Sequence, residues 1–363
     1  LSARTLPGFG TWYAHHIYPW IVGSVGRVTG LFPFSMVEMG LYGLILLLVL
    51  DAGWLFAASI HAFRRRTAAA ALPGDPGADG GPGTAKILAP IGSRWLFIVG
   101  LLLFLYTVNC GINYYASSFS SYAGLEDGTY TVEELDALCS DLVDLVNESA
   151  KTGRQVYREK RSAWRAESVK AMQAAGEAFP CLSGFYPKPK EVLISRILSV
   201  QQLCGVYSPF TLEANFNGDM PDYNVPHTLC HELSHLKGFM REDEANFIAF
   251  MACDRSDNAD YRYSGYLAAL GEVRNKIFDY ASDDKKIEFD SSICDEVWAD
   301  MEANWDYWRS VDEAKDTVFD SEAVGEISDK AMEKSLKLNG VEDGKQSYGR
   351  MVDLMLNYFK SKG

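Results

Sequence analysis

The sequence predicts a mainly α-helical chain with a small β element, in which two transmembrane helices lead into a larger, acidic domain. Three observations carry this. Residues 34–60 and 95–115 are apolar and long enough to cross a bilayer. Beyond residue 118, apolar residues recur at spacings of three and four, the period of amphipathic helices. One stretch, 210–217, reads as a strand closed by Gly218.

Residues 1–33 form an expected interfacial segment. The chain starts at Leu1 rather than methionine, which leaves room for an upstream signal or span. Phe9, Trp12, Tyr18, Trp20 and Phe32 are spread through a glycine-rich stretch without a long apolar run, as in a segment lying at a membrane surface. The adjacent His15 and His16 point about 100° apart on a helix, so they read as an interfacial pair and not as metal ligands.

Residues 34–117 are the expected membrane anchor, with leucine-rich centres at 44–50 and 101–105. Glu38 falls at the interface. Asp51 lies inside the first span, where an acid needs a partner or a role, and a neighbouring helix is the expected partner. Between the spans, 67–93 is rich in Gly, Pro and Ala and reads as a flexible cytoplasmic loop. That loop and its flanks hold Arg64, Arg65, Arg66, Lys86 and Arg94, and short basic loops stay in the cytoplasm. Residues 118–363 are therefore expected outside the cytoplasm, on a multi-pass cell-membrane protein.

The charge is uneven. The chain carries 34 basic and 48 acidic residues, of which only seven and four fall in 1–117, so 27 and 44 fall on the rest. An acidic domain on a slightly basic anchor argues against nucleic acid as a partner. Of seven cysteines, Cys110 lies in the second span; Cys139, Cys181, Cys204, Cys230, Cys253 and Cys294 lie in the outer domain. An extracytoplasmic location permits disulfides, and six cysteines allow fifteen pairings among which the sequence does not choose. There is no CxxC, so a cysteine metal site is not expected.

In the outer domain, Thr131 to Glu134 has the pattern of a capping box leading into Leu135, Leu138, Leu142 and Leu145. A second helix is expected over 149–178 and an apolar one around 192–203, after Pro187 and Pro189. The strand at 210–217 has two readings: an edge that pairs with an extended peptide, or a buried structural hairpin.

The stretch 225–238 contains His231-Glu232-x-x-His235. Two histidines four apart share one helix face and can hold one cation together; imidazole suits zinc, Zn2+. Glu232 is free to handle protons on a zinc-activated water. Leu229, Leu233 and Leu236 form an apolar stripe beside them, and Gly238 can end the helix in a left-handed cap. A catalytic zinc needs a third protein ligand. If Gly238 turns the chain, Glu242 heads a second helix whose face continues through Ala245, Asn246, Ala249, Ala252 and Cys253, small enough for close packing. Glu244 lies about 200° further round, beside Phe247, Ile248 and Met251. Helical phase therefore favours Glu242 over Glu244, with Asp243 a third candidate.

HExxH followed by Glu-x-x-Ala-Asn resembles the gluzincin metallopeptidases. The resemblance implies that Glu242 is the third ligand, Ala245 the close-packing position and Asn246 a partner behind the ligands. Only six residues separate His235 from Glu242, which is short for that clan. Gly238 falls where metzincins place their turn glycine, but Arg241 stands where their third histidine would be. The longer string from Tyr207-Ser208-Pro209 through HELSHLKGF and EDEANFIA to Tyr266 resembles an uncharacterised bacterial membrane-protein family, domain of unknown function 3810, over most of the chain. Together these imply a zincin-like α+β metallopeptidase domain over 118–363 that hydrolyses peptide bonds in a peptide or protein substrate, with Glu232 as general base. A tyrosine among Tyr261, Tyr263 and Tyr266 could aid an oxyanion, though packing is the expected role of each. The rival reading is a non-catalytic membrane sensor or scaffold that keeps the zinc-binding fold. An intramembrane protease is disfavoured because Asp219, Asp222, Arg241, Glu242 and Asp243 flank the motif.

Overall fold

The structure is a computed structural model that describes residues 2–71, 84–125, 130–154, 161–279, 281–314 and 350–362, with isolated positions between 327 and 339. Three short helices open it: α1 (Ser2–Thr5), α2 (Phe9–His16) and α3 (Tyr18–Thr29). On α3 the buried residues are Tyr18, Val22, Gly26 and Thr29, at helical spacing. Trp20 and Val28 stand exposed on the other side, as does Leu31 just beyond. Tyr13, Tyr18 and Val22 belong to the same core cluster as the later helices, so this segment packs onto the domain as well as presenting an apolar outer face.

Two long helices follow, α4 (Met36–Ala71) and α5 (Thr84–Tyr106). Both are long and apolar enough to cross a membrane, over Met36–Arg64 and Leu88–Tyr115, and almost nothing covers either stretch. They run further into the expected linker than its composition suggested. The alanines at 68–71 are strong helix formers and prolong α4, and α5 begins before Pro90. Residues 72–83, the rest of that linker, lie outside the described residues. Arg94 is therefore inside α5 and not in a loop. It pairs with Asp51, whose other oxygen accepts from Trp95 Nε1 at 2.8 Å. The acid in the first long apolar helix is thus neutralised by the second. At its far end α5 passes into a π turn (Thr107–Gly111) and a 3-10 turn (Asn113–Tyr115).

After α6 (Phe119–Ala123), α7 (Val132–Gly153) starts with the expected capping box: Thr131 Oγ1 accepts from Glu134 N, and Glu134 accepts from Thr131 N. α8 (Arg161–Ala178) is a separate helix, so 149–153 closes α7 instead of opening its successor; 155–160 lie outside the described residues.

The β element is a three-stranded sheet of β1 (Lys190–Glu191), β2 (Gly205–Ser208) and β3 (Glu213–Phe216), in the order β1-β3-β2. β3 is central and buried along its length; it runs parallel to β1, with Lys190 opposite Asn215, and antiparallel to β2, with Val206 opposite Asn215. The strand expected at 210–217 is thus confined to Glu213–Phe216 and lies in the middle of the sheet, as in the buried-hairpin reading, and β1 and β2 are the edges. The helix expected at 192–203 shrinks to α9 (Arg196–Ser199). Backbone upstream of it has other partners: Val192 N donates to Phe216 O at 3.1 Å, and Leu193 N and Ile194 N donate to the Glu38 carboxylate at 2.8 and 2.9 Å. Glu213 caps α4 by accepting from Met36 N and Val37 N at 3.2 and 3.0 Å, and it pairs with the buried Lys190.

The remaining helices are α10 (Val225–Lys237), α11 (Glu242–Asp254), α12 (Ala259–Phe278), α13 (Asp283–Ser292), α14 (Asp295–Glu313) and α15 (Arg350–Lys362). α10 runs through the core with Leu229, Leu233 and Leu236 fully buried.

Candidate metal centre

Local rules place α10 and α11. Pro226 sits in the first turn of α10, where its missing N–H costs nothing. Gly238 ends the helix at φ +110°, in the left-handed region. Gly238 N donates to His235 O at 2.9 Å and Phe239 N to Ser234 O at 3.2 Å, the two bonds of a Schellman cap. The chain turns back, and α11 begins at Glu242. Its Ala245, Ala249 and Ala252 are fully buried, so the side near α10 carries little bulk.

That packing brings three ligand atoms together. His231 Nε2 lies 3.0 Å from His235 Nε2 and 3.2 Å from Glu242 Oε2, and His235 Nε2 lies 3.6 Å from Glu242 Oε1. Bonds of ~2.0–2.1 Å to a tetrahedral zinc put neighbouring ligand atoms about 3.3 Å apart. The donor set, two imidazoles and a carboxylate, also suits that ion. This cluster could hold a metal. His235 Nδ1 lies 2.8 Å from Phe239 O; a proton there leaves the lone pair on Nε2, facing the other ligands. Burial pushes the Glu242 carboxyl up, but the histidines outweigh it and hold the group well below the usual range. Burial pulls His235 down, and Glu242 outweighs that, raising the ring to about 9.

The other carboxylates point elsewhere. Glu244 accepts from Phe119 N at 3.0 Å and from Arg241 at 3.2 Å, on the far side of α11, and burial raises it to about 7. Asp243 lies 3.4 Å from Arg350. Asn246 reaches the cavity beside the ligands, and its backbone carbonyl accepts from the His227 ring. Tyr261, Tyr263 and Tyr266 donate to Trp164 O, Asp300 and Asp254, so each packs within the core.

Glu232 is buried beside the cluster, and its Oε2 has no hydrogen-bond partner among the described residues. Burial raises its carboxyl to about 7, against the pull of His231 and His235. The group rests on β2, where Gly205 leaves room for it and Tyr207 offers its backbone N–H.

Several neighbours escaped the sequence reading. His227, one turn before His231 on the same face, lines the cavity with a buried, unpartnered Nε2; continuing the four-residue spacing backwards would have found it. Tyr18 and Tyr207 stand behind the site with their hydroxyls 2.9 Å apart, Tyr18 donating to Leu236 O and Tyr207 to Asn109 O. Cys110 and Tyr114, from the end of the second apolar helix, form part of the wall. Cys230 and Cys253 meet across α10 and α11 as free thiols.

His227, His231, Glu232, His235, Glu242 and Asn246 line one open cavity of about 420 Å³, bordered by the edge strand β2. No curated protein and no solved structure matches the chain. The family profile described as "Protein of unknown function (DUF3810)" matches residues 13–356, nearly the whole length, and the chain belongs to that family.

Proposed function

We propose that this protein is a membrane-anchored zinc metallopeptidase with a zincin-like catalytic domain outside the cytoplasm. One observation carries the reading: the converging Nε2 atoms of His231 and His235 and the Glu242 carboxylate, with the unpartnered Glu232 oxygen in the same cavity. His231, His235 and Glu242 would hold the ion. Bound zinc would supply a Lewis acid that polarises a peptide carbonyl and acidifies a water. Glu232 takes the proton of the attacking water and returns it to the leaving amine. Its folded-state position near pH 7, set by burial, suits a base that must also act as an acid. The backbone of β2 lies beside Glu232, where an extended peptide can pair with the sheet edge.

The test is metal content and peptide cleavage of the purified full chain. Glu232→Gln should keep zinc and lose about 10²–10⁴-fold in turnover, because only the proton carrier is removed. His231→Ala and His235→Ala should lose both zinc and activity. Peptidase activity unchanged in Glu232→Gln would sink the mechanism. For the orientation, a cysteine introduced at Ala78 should be shielded from an impermeant label in intact cells while one in the outer domain reacts. The reverse pattern would place the catalytic domain in the cytoplasm.

A further inference from the structure

The cavity that holds His231, His235 and Glu242 borrows part of its wall from the second apolar helix: Cys110 in the π turn and Tyr114 in the turn after it. On that helix the last broadly exposed apolar side chains are Leu103 and Phe104, 62% and 61% accessible. Cys110 follows Phe104 by six residues, about 9 Å at the helical rise of 1.5 Å per residue. The headgroup layer on each side of a ~30 Å hydrocarbon core is roughly 5–8 Å deep. The cavity wall at Cys110 therefore stands at about the outer edge of the headgroup layer.

The ion pair between the two helices is consistent with that height. Asp51 pairs with Arg94. Fifteen residues before Asp51 is Met36, the start of α4; fifteen after Arg94 is Asn109, beside Cys110. Met36 and Asn109 thus lie the same number of residues from the ion pair. The Glu38 carboxylate at that end of α4 holds Leu193 N and Ile194 N, and the two side chains attached are 67% and 50% exposed. Trp20 and Leu31 of the N-terminal segment are about as bare as side chains become, at 80% and 81%. Exposed apolar groups from separate parts of the chain thus accompany the ends of both spans, as expected of a surface resting on lipid.

The domain is also fixed at this height. Glu213 caps α4 through Met36 N and Val37 N. Asn109 Nδ2 donates to Pro209 O at 2.7 Å, and Tyr207 OH donates to Asn109 O at 3.0 Å. Both spans are bonded directly to the sheet beside the site, with no stalk between.

We propose that the substrate is a polypeptide embedded in the same bilayer, cut within the first few residues that emerge from it. This rests on the metallopeptidase and membrane-anchor readings above. An extended chain covers about 3.3 Å per residue, so roughly three residues bridge the headgroup layer to Glu232. Confinement of enzyme and substrate to one membrane raises their effective concentration, and that gain falls as the spacer lengthens.

The experiment places the zinc-loaded 363-residue chain in liposomes with a single transmembrane helix that carries a randomised eight-residue cassette after a Gly/Ser spacer of about 3, 10 or 30 residues, with the free cassette as a fourth substrate. Cleavage is read by mass spectrometry against the Glu232→Gln variant. The expected result is cleavage behind the short spacer at least about tenfold faster than behind the long spacer or in the free peptide, with the middle spacer between them; a middle spacer faster than the short one would overturn the stated cutting height. Equal rates for all four, or faster cleavage of the long-spacer or free substrate, would overturn the inference and leave the peptidase reading standing. No Glu232-dependent cleavage of any of the four would overturn both.

Discussion

The carboxylate of Glu232 rests on the α-carbon of Gly205: a Cβ at that glycine would stand 2.6 Å from Oε1 and 2.8 Å from Cγ of the glutamate. The edge strand and the expected base are therefore fitted to each other through a missing side chain. The same Cβ would stand 2.9 Å from Asn215 O of β3, so Gly205→Ala must move Glu232 and shift β2 against β3. A displacement of about 1 Å at a reacting group can cost around 10²-fold in rate. The expected outcome is a loss of turnover of at least that order with zinc content near that of the parent. A variant that binds zinc and turns over normally would show that the glycine does not set the position of the base.

The ligand geometry separates three neighbouring carboxylates. Glu242 lies 3.2 Å from His231 Nε2, whereas Glu244 is held by Phe119 N and Arg241. Glu242→Ala should bind zinc weakly and release it readily to chelator, because two histidines alone remain. Glu244→Gln should keep its zinc, since the amide oxygen still accepts from Phe119 N. Metal content by elemental analysis checks both, and zinc lost from the Glu244 variant but retained in the Glu242 variant would reverse the assignment.

How much of this was legible in the sequence follows from how far apart the participants lie. The face shared by His231 and His235, the turn at Gly238 and the phase of Glu242 depend on helical period and one glycine, so they read locally. The capping box at Thr131 reads the same way. Gly205, Tyr18 and Cys110 do not. Tyr18 meets Tyr207 across 189 positions of chain, and no periodicity carries that contact. Strands of two to four residues are too short to show alternation, so the sequence leaves the edge and buried-hairpin readings of 210–217 open, and the structure selects the buried one. The helix expected at 192–203 failed for a tertiary reason, since Glu38 of the first apolar helix takes two of the backbone donors just upstream of α9.

The Lys190–Glu213 pair ties the first apolar helix to the sheet, with both side chains 2% exposed or less. Glu213→Ala would leave Lys190 with Thr29 O but without its countercharge, and would orphan two N–H groups at the start of α4. Removing one member of a buried pair costs about 3–5 kcal/mol. Denaturant unfolding in detergent should show a loss of that size. Replacing both, Lys190→Met with Glu213→Leu, should recover much of it, because apolar residues of similar volume can substitute for a buried ion pair. A single variant as stable as the parent would mean that the pair contributes nothing to seating the helix.

His227 gives the last expected outcome, in pH dependence. Its Nε2 is buried without a partner, and burial, reinforced by His231, pulls the ring down from its usual 6.5 to about 3. In the unfolded chain the ring takes a proton as pH falls through 6.5, whereas in the folded chain it resists until about 3. Between those values the unfolded state binds more protons, so folding stability contributed by the neutral ring is full above pH 6.5 and is lost progressively as pH falls towards 3. A cation on His231 and His235 would repel a proton on His227 and act in the same direction. His227→Gln removes the titration while keeping a polar side chain at the cavity wall. The melting temperature of the variant should therefore fall less than that of the parent between about pH 7 and pH 4.5, with or without zinc. Parallel curves over that range would show that His227 is not held neutral by its surroundings.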